Sequence, residues 1–139
     1  MIFMQLNRYV ALLTNLIDSR RDAELEYFFI DTIEPGQNVL IEGRLRFWDS
    51  SLLKFVEVVQ QRGAIVGKLE YAYHYQDAAD RLVFRYDNAP HHPEIVTHPH
   101  HKHIARVREK SESIEPAAAP HLGEVLREIE RILYKDTGD

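Results

Sequence analysis

The sequence predicts an α+β fold: a five-stranded antiparallel meander sheet, an N-terminal helix packed on one face, a His/Pro-rich extended segment and a C-terminal amphipathic helix. Two patterns support this prediction. Near both ends of the chain, apolar residues recur every three or four positions, as they do along one side of a helix. Between these regions, five segments alternate apolar and polar residues and are joined by short turns, which is typical of strands in a meander.

The N-terminal helix is predicted over residues 5–18. Its apolar positions are three and four residues apart, which places them on one side of a helix. They are Leu6, Tyr9, Val10, Leu13, Leu16 and Ile17. Arg20 and Arg21 follow, where positive charge interacts favourably with the C-terminal end of the helix dipole. We expect this apolar side to cover one face of the sheet.

The five strands are predicted over residues 25–33, 39–47, 52–59, 65–75 and 82–86. The connecting segments, at 34–37, 49–51, 61–63 and 77–80, contain residues that favour turns. In the fourth strand, Tyr71, Tyr73 and Tyr75 are expected to face the core, because side chains alternate along a strand. Three polar side chains of the same strand are expected to point away from that core: Lys68, Glu70 and His74.

The third strand leaves two positions open for Glu57. If Leu53 and Phe55 face the core, the carboxylate lies on the buried side and needs a partner. In the other register Glu57 is solvated and Lys54 is the residue out of pattern. We expect the solvated position. Further charged residues are expected to line the open sheet face beside His74: Glu42, Arg44, Arg46, Lys68, Glu70 and Arg85.

Residues 1–110 are expected to form a single α+β domain, followed by a linker at 111–120 and a C-terminal helix at 121–135. The linker is inferred from its polar, Pro- and Ala-rich composition. The helix is inferred from the stripe Leu122, Val125, Leu126, Ile129, Ile132 and Leu133. An apolar stripe that follows a linker can pack on the same domain or on a partner chain, so the sequence also predicts a homodimer.

The composition favours a cytoplasmic protein. The chain has 139 residues, a formal net charge of −5 and no cysteine, and no apolar run approaches the length of a membrane span. The net charge argues against non-specific nucleic-acid binding by the whole surface. Positive charge is nevertheless concentrated locally, at Lys102, Arg106, Arg108 and Lys110, where only Glu109 opposes it.

The most informative segment runs from Arg85 to His103. It holds six of the eight histidines and three prolines. Because each proline fixes φ and removes a backbone donor, we expect an extended, turn-rich segment rather than a helix or a central strand. Imidazole titrates near neutral pH and binds metals. Chemistry or recognition is therefore to be expected here first.

A metal site is one hypothesis for this segment, because imidazole suits zinc, copper, nickel and iron. The candidate ligands are His91, His92, His98, His100, His101 and His103. Glu94 offers an additional oxygen. The spacing matches no established zinc motif, however. We therefore expect no native metal and no other cofactor.

Metal-independent RNA cleavage is a second hypothesis. It needs a base for the 2′-hydroxyl, an acid for the leaving oxygen and cations around the phosphate. The candidate catalytic residues are His74, Arg85, His91, His92 and His101. The candidate RNA contacts are Tyr73, Tyr75, Tyr86, Lys102, Arg106 and Arg108, in which the aromatic rings stack on bases. The simplest alternative is an ordered loop whose histidines only satisfy backbone groups.

Three segments of the chain resemble the TumE family of prokaryotic proteins. They are Tyr-His-Tyr-Gln at 73–76, Phe-Arg-Tyr-Asp-Asn-Ala-Pro-His-His-Pro-Glu-Ile at 84–95 and His-Pro-His-His-Lys-His at 98–103. The resemblance spans residues 25–103, and the helices at both ends carry little of it. That family is assigned as the toxin half of toxin–antitoxin modules. The resemblance implies a cytoplasmic prokaryotic protein paired with a helix-turn-helix antitoxin, and it assigns no catalytic residue.

The sequence thus predicts the toxin of a prokaryotic toxin–antitoxin system that acts on RNA as a metal-independent ribonuclease using clustered histidines. The alternative is a non-catalytic binding module whose His-rich segment holds a metal ion or a protein partner. A third hypothesis is a toxin that blocks its target by occupancy alone.

Overall fold

The structure is a computed structural model that describes residues 4–34 and 38–135. Within these residues, seven antiparallel strands form one sheet whose spatial order follows the chain, and two α-helices flank them in sequence. The elements are α1 (Met4–Asp18), β1 (Ala23–Glu34), β2 (Asn38–Phe47), β3 (Leu52–Arg62), β4 (Ile65–Gln76), β5 (Leu82–Asp87), β6 (His101–Arg106), β7 (Ser111–Pro116) and α2 (Leu122–Tyr134). A short 3₁₀ turn, Val107–Glu109, joins β6 to β7.

The α+β class, the antiparallel meander and both predicted helices are confirmed, but the prediction of five strands was wrong. The described chain has seven. β6 arises from the end of the histidine segment, and β7 from the segment predicted to be a linker. β7 reads Ser-Glu-Ser-Ile-Glu-Pro and has a single apolar residue, so it shows no apolar–polar alternation. Of the turn predicted at 34–37, residues 35–37 lie outside the described residues.

The core lies between one sheet face and the two described helices. Alternate residues of β2 to β5 supply the sheet side of the core, and α1 supplies Leu6, Leu13 and Ile17. α2 contributes Leu122, Val125, Leu126 and Ile129 to the same cluster. Burial of apolar surface is the dominant stabilising term in folding. Because the stripe of α2 is buried in its own chain, the homodimer prediction loses the reasoning on which it was based.

The side-chain alternation of β4 follows the prediction in its second half and departs from it in the first. Tyr71, Tyr73 and Tyr75 are buried in the core, and His74 points to the opposite face. Lys68, predicted to point away, lies on the core side instead. Val58 pairs with Glu70 and Val59 with Lys68, so β4 contains one extra residue at this point. A bulge of this kind reverses the facing of the residues beyond it.

Glu57 lies in the core, and the prediction of a solvated carboxylate was wrong. Its side chain is fully buried, at 0% exposure. The hydroxyl groups of Tyr9 and Tyr73 donate hydrogen bonds to its two carboxylate oxygens, and the ammonium group of Lys68 lies 3.9 Å away. Lys68 also donates to the Tyr73 hydroxyl oxygen at 2.6 Å and to the carbonyl of Pro120 at 2.7 Å. The network therefore connects α1, the sheet and the approach to α2.

The network keeps its phenols protonated. Burial raises the pKa of Tyr9 and Tyr73, and the neighbouring Glu57 carboxylate raises both further. Burial also lowers the pKa of Lys68, against the opposing attraction of Glu57. A buried charged group is tolerated only when its hydrogen bonds are satisfied, and here two donors meet the two oxygens.

Among the described residues, no helix is long and apolar enough to cross a membrane.

We predict that Glu57→Ala lowers the free energy of unfolding by about 3–5 kcal/mol, because it leaves the buried Lys68 and two phenols without their partner. Chemical denaturation followed by circular dichroism measures this change. Glu70→Ala is the matched control, since Glu70 is exposed and its loss should change stability by less than about 0.5 kcal/mol. Equal effects of the two substitutions would show that the carboxylate of Glu57 does not organise the core.

Candidate functional site

The sheet face opposite the helices carries two adjoining depressions. The larger has a volume of about 830 Å³ and is bordered by Asp87, His91, His92, His101 and His103. The smaller, of about 330 Å³, is bordered by Tyr27, Arg44, Lys54 and His74. Arg85 lines both. The open face therefore forms one continuous cleft, and its position follows from the burial of the other face under the helices.

A row of six side chains, three of them cationic, crosses this face at right angles to the strands. Each member is the direct cross-strand partner of the next, from β1 to β6. The row consists of Tyr27, Arg44, Lys54, His74, Arg85 and His103. Opposite residues of neighbouring strands point to the same face. These residues, scattered over 77 positions of sequence, thus form a single line that we call the cationic row.

His74 is held neutral at physiological pH by its place in the row. Its Nδ1 lies 3.4 Å from Nη1 of Arg85. Burial lowers the pKa of His74, and the positive charges of Arg85 and Lys54 lower it further. A hydrogen bond with Gln76 and the charge of Glu112 oppose this shift. A neutral imidazole between two cations can accept a proton and is adjacent to groups that attract phosphate.

Asp87 organises the other end of the cleft. Its carboxylate is nearly buried, and it contacts Nε of Arg85 at 3.0 Å, Nε2 of His101 at 3.0 Å and Nε2 of His103 at 3.4 Å. Nδ1 of His101 lies 2.9 Å from the carbonyl of Pro99, where it is positioned to donate. His101 is only 2% exposed. We conclude that Asp87 fixes the orientation of one arginine and two imidazoles.

His103 and His92 present the more accessible imidazoles of this end. Nδ1 of His103 faces Glu112 at 3.0 Å, and its Nε2 lies 3.1 Å from Nε2 of His101. His92 packs edge-on against both rings, and its Nδ1 lies 3.4 Å from Glu94. Ligand atoms of His92, His101 and His103 lie within 4.8 Å of one another. Those three residues are close enough together that they could hold a metal ion.

The remaining histidines of the segment lie apart from this group of three. His91 is exposed at the rim of the larger depression. His98 is exposed, and its Nδ1 lies 3.2 Å from the carbonyl of His92. The His100 ring stacks on Tyr71 and its Nδ1 lies 2.9 Å from the Tyr71 hydroxyl. The predicted set of six metal ligands is therefore reduced to three that meet.

Four of the six predicted RNA contacts lie on the helix side of the sheet. Tyr73 and Tyr75 are buried in the core and have no ring face open to a base. Tyr86 donates a hydrogen bond to Glu128 of α2 at 2.6 Å. Lys102 pairs with the same Glu128 at 2.6 Å and lies over the Tyr86 ring. These four side chains therefore pack or pair on the helix side of the sheet and do not line the cleft.

The other two predicted RNA contacts lie at the end of β6. Arg106 pairs with Glu115 of β7 at 3.0 Å and donates to the Ser113 hydroxyl oxygen. Arg108 is exposed in the 3₁₀ turn. Two of the four cations in the local basic segment, Lys102 and Arg106, are thus each paired with a carboxylate. This segment therefore offers less free positive charge than its sequence indicates.

Sequence reasoning missed several residues of the open face. Asp87, Tyr27 and Lys54 were not among the candidates, although the structure puts them in the cleft. The signal for Lys54 was present in the alternation of β3, where it interrupts an otherwise apolar run. Asp87 ends β5 on the same face as Arg85, two residues away. The row itself depends on strand register, which a single sequence does not specify.

Comparison with known proteins supports one relationship. No curated protein and no solved structure matches the chain. The family model described as Toxin TumE matches residues 13–133, a stretch that includes the whole sheet, the histidine segment, the end of α1 and most of α2. The match covers nearly the whole chain and agrees with the resemblance at the histidine segment. The chain belongs to the TumE toxin family.

Proposed function

We propose that this toxin acts on RNA as a ribonuclease that needs no metal, with its reaction centre at His74, Arg85 and His103. The observation that carries the proposal is their placement on three successive strands of one open face. Neighbouring strands are about 4.8 Å apart, so the two imidazoles flank the arginine at about 10 Å from each other, backbone to backbone. A phosphate bound by Arg85 would lie between a base and an acid.

The base is His74. It is neutral at physiological pH because burial, Arg85 and Lys54 lower its pKa. In the proposed step His74 takes the proton of the ribose 2′-hydroxyl, and the 2′ oxygen forms a bond to phosphorus. The bond between phosphorus and the 5′ oxygen breaks at the same time. A correctly placed base of this kind contributes about 10²–10⁴-fold in rate.

The acid is His103, which gives its proton to the departing 5′ oxygen. Its Nδ1 lies 3.0 Å from the carboxylate of Glu112 and its Nε2 lies 3.4 Å from that of Asp87, so the ring is held between two carboxylates. His101 was a candidate for direct catalysis, but its burial keeps it from substrate. We assign His101 as a positioning residue that, with Asp87, holds the His103 ring. His91 and His92 line the approach to this centre.

Arg85 stabilises the charge that develops on the phosphoryl oxygens. Guanidinium has five N–H donors in a fixed fork, of which Nε is engaged by Asp87. The terminal nitrogens are left to face the cleft, one of them beside His74. Donors that are already oriented toward developing charge stabilise it without reorganising during the reaction.

A second candidate function is metal binding without catalysis, and one observation favours it. Nε2 of His101 and Nε2 of His103 lie 3.1 Å apart, and one carboxylate oxygen of Asp87 lies 3.0 Å from the first while the other lies 3.4 Å from the second. Tetrahedral zinc with bonds of about 2.0–2.1 Å separates its ligands by roughly 3.3 Å. The same separations suit hydrogen bonds. Because metal binding uses only His103 of the cationic row and gives its other members no role, we favour RNA cleavage.

The biological context follows from family membership. A toxin of this family has an antitoxin as its general partner, and we propose a helix-turn-helix protein in that role. A cytoplasmic location suits both an RNA target and a DNA-binding partner. A homodimer remains a proposal without structural support, since α2 is buried in its own core.

We predict that His74→Ala or His103→Ala lowers the rate of RNA cleavage by the purified toxin about 10²-fold or more, because each removes one acid–base group. Chelator should leave the wild-type rate unchanged. Gel electrophoresis of a defined single-stranded RNA measures both. His98→Ala is the matched control, since it removes an exposed imidazole of the same segment. If chelator instead abolishes activity and elemental analysis finds bound metal, the second candidate function is favoured.

We also predict that the pKa of His74 lies below the ordinary histidine value of about 6.5 and rises toward it in Lys54→Ala, because one of the lowering charges is removed. Titration of the imidazole resonances by nuclear magnetic resonance measures this directly. The base is then available above its lowered pKa, so the loss of activity on the acidic side of the pH profile should follow that value. A pKa of His74 at the ordinary value, or one that does not change in Lys54→Ala, would contradict the assignment of the base.

A further inference from the structure

We infer that the remainder of the cationic row, Tyr27, Arg44 and Lys54, is a binding track for single-stranded RNA, and that it holds the nucleotides on the 5′ side of the cleaved phosphate. The inferred polarity rests on the proposed function, whereas the track itself rests on the geometry of the sheet. The three residues continue the line of His74, Arg85 and His103 without a gap from β4 to β1.

Uncompensated positive charge is the first argument for the track. Arg44 and Lys54 are both exposed, and neither forms an ion pair with any residue in 4–34 or 38–135. The chain as a whole carries a net charge of −5. Glu42 precedes Arg44 by two positions and borders the same depression, but it forms no ion pair with Arg44 or Lys54. Two free cations in line with Arg85 attract a phosphate backbone.

Exposed aromatic rings form the far end of the track. Tyr27 is 46% exposed and Phe29 40% exposed. Their rings are stacked, with centroids 6.3 Å apart and an interplanar angle of 19°. Both are on β1, an edge strand of the described sheet, and Tyr27 borders the smaller depression. Single-stranded nucleic acids are held by this combination, in which cations follow the backbone and aromatic rings stack on bases.

The opposite end of the row has a different character. Beyond His103 the next cross-strand partner is Ile114 of β7, and Glu112 lies against His103. An uncharged side chain and a carboxylate offer no attraction to phosphate. Within the row, the cations beyond the reaction centre, Arg44 and Lys54, lie only on the side of His74. The toxin therefore binds its substrate more strongly on that side.

The roles of the two imidazoles set the direction of the strand. The 2′-hydroxyl that attacks belongs to the nucleotide on the 5′ side of the cleaved phosphate, and this hydroxyl gives its proton to His74. The leaving 5′ oxygen belongs to the nucleotide on the 3′ side, and it receives a proton from His103. Lys54 and Arg44 lie beyond His74. The 5′ nucleotides must therefore extend over β3, β2 and β1.

The length of the row limits the size of the bound segment. Five interstrand steps of about 4.8 Å give a line of roughly 24 Å from Tyr27 to His103. A single strand of a few nucleotides spans this distance. A duplex presents its bases to each other rather than to a flat protein surface, so stacking on Tyr27 and Phe29 favours single strands.

The track is tested with a fluorescein-labelled 2′-O-methyl RNA of about six nucleotides, which cannot be cleaved through its 2′ oxygen. We expect Arg44→Ala and Lys54→Ala each to weaken binding about fivefold, as measured by fluorescence anisotropy. Each should also reduce the slope of log affinity against log salt by about 0.7, the value for one phosphate contact on a single strand. Arg81→Ala is the matched control, because Arg81 is exposed in the β4–β5 turn, away from the row.

Two results would overturn the track. One is an equal loss of affinity in Arg81→Ala, which would show that the weaker binding reflects only the lower net positive charge. The other is binding that no substitution in the row alters, which would leave this face to a protein partner such as the antitoxin. These outcomes do not depend on cleavage, so a failure of the proposed function is detected separately by the cleavage assay.

The polarity is tested by energy transfer with the same uncleavable RNA. The chain has no cysteine, so Asp31→Cys on β1 supplies a single attachment point for a donor dye. We expect stronger transfer to an acceptor at the 5′ end of the RNA than to one at the 3′ end. Stronger transfer to the 3′ end, or equal transfer to both, would overturn the inferred direction.

Discussion

The structure depends on one constraint: successive side chains of a strand point to opposite faces of the sheet. Both described helices cover the same face, so one set of alternate residues is committed to the core. The other set is free to carry charge, and in register it produces the cationic row on an acidic protein. Fold and candidate chemistry are thus two consequences of the same alternation. The covered face gives stability, and the open face carries the proposed reaction centre.

Two carboxylate side chains are buried, one on each face of the sheet, and each needs hydrogen-bond partners there. Glu57 belongs to the covered face and is satisfied by Tyr9 and Tyr73, so it joins α1 to the sheet. Asp87 belongs to the open face and is satisfied by Arg85, His101 and His103. Both are anchors, but only Asp87 orients groups that can meet a substrate. A carboxylate that fixes an imidazole is a common way to set its orientation.

Most of the fold could be predicted from periodicity, whereas most of the site could not. The α1 stripe and the alternation of β2 to β5 identified the helix, the meander and the facing of the three tyrosines. β7 was not predicted, because an edge strand with a single apolar residue shows no apolar–polar alternation. Lys68 and Glu57 were misplaced because a bulge and the choice of register decide their facing. His74 and Arg85 were found from residue type and Arg44 from the alternation of β2, but Lys54 and Asp87 join them only through cross-strand pairing.

The central claim is that a histidine pair on the open face cleaves RNA without metal, and the chemistry of the RNA ends tests it most directly. Attack by the 2′ oxygen forms a cyclic phosphate and releases a 5′-hydroxyl. Protein dialysed against chelator should therefore yield fragments with 2′,3′-cyclic phosphate and 5′-hydroxyl ends, as determined by mass spectrometry. Fragments with 3′-hydroxyl and 5′-phosphate ends, or intact RNA, would contradict the account.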